Sequence, residues 1–161
     1  VDENSVKKEK ESLETRLSQV SGADGNNKLL TAVIKAANLY ISNDSTGAAE
    51  AIADVDVSSL PVEEAKTLYN TISGATMMNA ANDLYNRGMT AYNKADYTTA
   101  ADLLVRAYKC DKTKADAVFY AAKSYVALNQ PDNAKKYYQI IADEFKSSGY
   151  VTEAQAYVQS H

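Results

Sequence analysis

Leu84, Gly88, Ala100, Leu104 and Ala107 are each followed 34 residues later by a residue that fits the same slot: Val118, Ala122, Ala134, Tyr138 and Ile141. A fixed period of roughly 34 residues, carried by helical patterns and breaks, is the signature of stacked helix-turn-helix units that cannot bury their apolar faces alone. It also accounts for the stretch "DYTTAADLLVRAYKCD" (96–111), which keeps Ala100 and Ala107 on either side of Leu104 on one helix face. Side chains that small are needed where another helix packs very close.

The rest of the chain agrees with helices. Two prolines and six glycines in 161 residues are too few to punctuate a sheet built on turns. The pattern predicts helices over 5–20, about 27–41, 45–57, 61–73, 77–94, 96–110, 114–128, 132–146 and 151–160, nine in all, with no strand. "SGADGNN", "SNDSTG", "SGAT", "NQPD" and "SSGY" supply the breaks. Asp44 or Ser45 is a candidate cap, and Pro61 suits a first helical turn. Val6, Leu13, Leu17 and Val20 give the first helix a narrow apolar seam, which suits packing on the array or, alternatively, a short coiled-coil neck.

On these residues the chain resembles the tetratricopeptide repeat family. The resemblance implies an all-α fold of antiparallel helix pairs stacked in a right-handed superhelix. Its repeats fall at 81–114 and 115–148, with a third at 46–80, a capping helix at 149–161 and an N-terminal helical pair, degenerate repeat or stalk, at 1–45. A competing register sets Ala36 on the motif's glycine and Ala48 on its first alanine; it leaves the helix of 62–73 unpaired, so 46–80 is preferred. Within a repeat the family's glycine faces its alanine, which predicts that Gly88 meets Ala100. The chain departs from the motif at Leu84 and Val118, where the family has Trp, at Arg87 and Ala121, where it has Leu, and at Lys112, where it has Pro. The stretch "QIIADEFKSSGYVTEAQAY" is similar to a variant of bacterial cell-envelope members.

Catalytic chemistry has little to work with. The only histidine is His161 and the only cysteine Cys110, so no nucleophile-histidine pair and no multi-cysteine metal site can be assembled from the interior of the chain. Asp143 with Glu144, and Glu63 with Glu64, are adjacent pairs that point about 100° apart on a helix. The expectation is a protein that is not an enzyme and needs no metal or cofactor. A net charge of -4 with a pI near 5.0, and no basic stripe, argues against a nucleic-acid partner. No segment approaches the ~20 apolar residues of a membrane span.

What remains is a surface. The resemblance implies that the first helix of each pair lines a concave wall, at Glu50, Asp54 and Val57, then Asn82, Tyr85, Met89, Tyr92 and Asn93, then Asp116, Phe119, Lys123 and Val126. Tyr85, Met89 and Tyr92 share one helix face, while Leu84, Gly88 and Ala91 already supply a core face. Tyr85 and Phe119 are expected to face one concavity with room for a partner's apolar side chain between them. The family's carboxylate grip is disfavoured, because Tyr85 and Met89 occupy its Lys and Asn sites. The expected function is a scaffold that binds a protein or peptide segment; the alternative is a structural homo-oligomer. Val1 in place of an initiator Met, the charged first helix and the envelope-like stretch point to an exported, membrane-anchored domain, with a cytoplasmic one as the alternative.

Overall fold

The computed structural model describes residues 3–19 and 24–161. Among them are eight α-helices, one 3-10 turn and no strand: α1 (Glu3–Gln19), α2 (Asp24–Ile41), α3 (Ser45–Ile52), the 3-10 turn Val57–Ser59, α4 (Glu63–Asn93), α5 (Tyr97–Cys110), α6 (Ala115–Ala127), α7 (Pro131–Glu144) and α8 (Val151–Ser160). None of these is long and apolar enough to cross a membrane. Asp24–Asn27, read from the sequence as part of a turn, is helical; 21–23, Val20 and the Leu17 side chain lie outside the described residues.

The chain forms two compact units, Val1–Ala80 and Ala81–His161, with the boundary inside α4. That helix corrects the sequence reading, which breaks it at 73–76. Thr76 is buried, and its hydroxyl donates back to the Ile72 carbonyl (2.7 Å) instead of capping a new helix. Gly74 is helical, with open space around its Cβ position, so it carries only the ~1 kcal/mol propensity penalty of a glycine. Ala65, Leu68 and Ile72 repay that penalty by burying completely in the core of the first unit. Val6 and Leu13 of α1 are fully buried in the same core, with Leu30, Val33, Ala48 and Ile52.

Three turns share one backbone design. At Asn43, Ala95 and Asn129 the chain enters the left-handed region (φ 65°, 61° and 55°). Around each, two hydrogen bonds close the helix end: Asp44 N to Leu39 O and Asn43 N to Tyr40 O, Asp96 N to Ala91 O and Ala95 N to Tyr92 O, Gln130 N to Tyr125 O and Asn129 N to Val126 O. This is the Schellman arrangement, which satisfies the last helical carbonyls. Asp44 and Asp96 then cap the following helices through Gly47 N (2.8 Å) and Thr99 N (3.2 Å). In the third, Pro131 opens α7.

Relative to these turns, Ala36, Gly88 and Ala122 stand seven residues before the left-handed residue, and Ala48, Ala100 and Ala134 five after. All six are buried. The helical hairpin of the first unit is therefore α2 with α3, the pairing that places Ala36 and Ala48 on the motif's small sites. In the second unit the hairpins are the end of α4 with α5, and α6 with α7. Gly88 lies nearest not to Ala100 but to Leu104 and Leu103: a Cβ there would stand 2.8 Å from Leu104 Cγ and 3.3 Å from Leu103 Cβ. The tight contact falls one turn further along α5 than the family pattern implies.

Of the three left-handed residues only Ala95 lacks a side chain that tolerates this conformation, since asparagine hydrogen-bonds locally and visits it readily. Ala95→Gly is expected to raise stability by about 0.5–1 kcal/mol, the relief of strain exceeding the added entropy of the unfolded chain. A urea midpoint that rises with unchanged slope is the result expected; a fall shows that Ala95 is not strained.

Candidate functional site

The wall residues expected from the sequence lie in the second unit on two helices. On α4, Asn82 and Asn93 are exposed, and Tyr85, Met89 and Tyr92 are half-buried. On α6, Asp116 is exposed, Lys123 half-buried and Phe119 buried. The three expected in the first unit do not share a helix face: Glu50 is on α3, which ends at Ile52, Asp54 lies beyond its end, and Val57 opens the 3-10 turn.

Aromatic contacts join the α4 and α6 groups. Tyr92 meets Tyr97 and Tyr120 edge-on, with ring centroids 5.5 and 5.2 Å apart, and Tyr120 meets Phe119 edge-on at 5.2 Å. Phe119 then stacks face to face on Tyr150, 4.1 Å away. The ring path thus runs from α5 through α4 and α6 to the start of α8. Lys114 Nζ lies 5.2 Å from the Tyr85 ring centroid and Lys123 Nζ the same distance from that of Phe119, both within cation-π range.

Side chains from the chain's end complete the polar part. Tyr150 Oη donates to Asp116 Oδ1 (2.7 Å), Lys123 pairs with Glu153 (3.7 Å), and Tyr138 Oη donates to Glu153 Oε2 (3.1 Å). The hydrogen bond to Asp116 and then burial hold the Tyr150 phenol well above the usual tyrosine range. Burial, followed by the Asp116 carboxylate and Tyr120, raises Tyr85. For Tyr138, burial comes first and the Glu153 charge second. Tyr108 of α5, raised by burial and its 2.6 Å hydrogen bond to Glu144, ties α5 to α7.

Tyr150, Glu153 and Tyr157 were not singled out from the sequence, yet the signal is there: they stand 34 residues after Asp116, Phe119 and Lys123. Carrying the period one step into α8 finds them. Tyr120 is harder to see, because it sits one residue past a wall position and turns toward Tyr92.

Among the described residues no group of three or more His, Cys, Asp and Glu side chains is placed to hold a metal ion, and Cys110 is buried at the end of α5. Compared with known protein families, curated proteins and solved structures, the chain matches none.

Proposed function

We propose that the chain is a non-enzymatic protein-interaction module built of tetratricopeptide-like hairpins, and that the face formed by α4, α6 and α8 in the second unit receives a segment of another protein. One observation carries the reading: wall side chains recur at the 34-residue period on three successive helices, Tyr85, Phe119 and Glu153 in one row and Asn82, Asp116 and Tyr150 in the next. The matching Schellman turns at Ala95 and Asn129, also 34 residues apart, support the same repeat. Half-buried tyrosines suit such a face because each presents a rigid apolar ring and a wet hydroxyl.

The test is capture of a partner from cells of the source organism with the parent chain and with Tyr85→Ala/Tyr92→Ala, two half-buried positions whose loss spares the fully buried core. The parent is expected to retain a partner that the variant loses by tenfold or more in affinity, on the scale of aromatic interface anchors. Equal capture by a folded variant removes this face from consideration.

A further inference from the structure

Most charges on this face are already countered. Lys123 meets Glu153, and Glu153 accepts from Tyr138. Asp116 stands apart. It is exposed, its one hydrogen bond comes from the neutral Tyr150 hydroxyl, and no ammonium or guanidinium among the described residues lies within ion-pair distance of it. Around it are three half-buried phenols: Tyr150 in direct contact, and Tyr85 and Tyr120 close enough to feel its charge and that of one another. A carboxylate flanked by aromatic faces is suited to an organic cation, which gains from the charge and from the ring quadrupoles together. The Tyr85 ring already attracts one cation, the Lys114 ammonium.

We infer that Asp116, Tyr85, Tyr120 and Tyr150 form a seat for the guanidinium of an arginine carried by a basic segment of a protein partner. The inference rests on the reading of this face as a protein-binding wall and adds the chemistry of its occupant. Asp116 counters the charge, the guanidinium plane lies against a tyrosine ring, and the phenol oxygens accept its remaining N–H groups. Arginine fits better than lysine because its planar fork stacks and is more weakly hydrated. An acidic segment meets the wrong sign at Asp116, and the chain's net charge of -4 adds long-range attraction for a basic one.

The test titrates the full chain, with ring resonances of the tyrosines observed by NMR, against three glycine- and serine-spaced peptides that carry arginine, citrulline or glutamate at the same positions, and against tetramethylammonium at equal ionic strength. The arginine peptide is expected to shift Tyr85, Tyr120 and Tyr150 and to bind about tenfold tighter than the citrulline peptide. Asp116→Asn, whose amide oxygen still accepts from Tyr150, is expected to remove that advantage while keeping the parent's melting temperature. Equal binding of the arginine and citrulline peptides, or no effect of Asp116→Asn, overturns the seat. If the citrulline or glutamate peptide binds this face as well as the arginine peptide does, the wall reading survives and the seat falls. Tetramethylammonium binding as tight as the peptide replaces the protein segment with a small cation. If no peptide of any charge moves these resonances, the seat and the wall reading fall together.

Discussion

Leu104→Ala is expected to cost about 2–5 kcal/mol, among the largest losses from any single substitution in the second unit. Leu104 is fully buried on α5, and its branch carbon fills the slot that the missing side chain of Gly88 leaves open on α4. Truncation creates a cavity at the closest crossing of the two helices. Gly88→Ala is expected to cost on the order of 1 kcal/mol by itself, since crowding against a carbon that cannot swing aside outweighs the gain in helix propensity. The two changes together should cost less than their sum by about 1 kcal/mol, because the new methyl occupies part of the cavity. Exchange of the α5, α6 and α7 amides with deuterium reads the second unit directly. Additive losses would show that the two residues do not share this slot.

The same crossing marks how far the sequence could be read. Helices with strong local signals were legible: Asp44 and Asp96 cap α3 and α5 as their types suggest, and Pro131 opens α7. The 34-residue period was legible because Gly88, Ala100, Ala122 and Ala134 all mark places where helices approach closely. The continuity of α4 was not. "SGAT" has the composition of a break, and nothing local says that Thr76 spends its hydroxyl on the Ile72 carbonyl, nor that Ile72 and Leu68 find a core worth a glycine in mid-helix. That error spread to the hairpin register. With a break assumed at 73–76, the helix of 62–73 needed a partner, and the pairing that puts Ala36 and Ala48 on the small sites was set aside. A long-range burial decided what local composition could not.

On the candidate wall, residue types and spacing were legible but degree of burial was not, and Phe119 shows the consequence. Phe119→Ala is expected to cost about 3–5 kcal/mol, whereas the sequence reading treats it as a floor residue whose loss the fold survives. Its ring is only 7% exposed. It stacks on Tyr150, meets Tyr120 and Tyr138 edge-on, and lies under the Lys123 ammonium. It therefore anchors α8, a ten-residue helix in which Ala154 is the one fully buried side chain. Without the ring, Tyr150 loses its stacking partner and the attachment of α8 falls largely to Ala154, the contact between Tyr138 and Tyr157, and the exposed pair of Lys123 with Glu153. Such a pair is worth at most ~1 kcal/mol. Deuterium exchange should then find α8 amides opening well before those of α6, with a lowered melting temperature for the unit. Tyr85→Ala, at a half-buried ring outside this stack, is expected to cost less than about 1 kcal/mol and is the cleaner probe of partner binding. If Phe119→Ala instead keeps the parent's melting temperature and α8 protection while a partner is lost, Phe119 is a contact residue of the wall and α8 is held by something other than its ring.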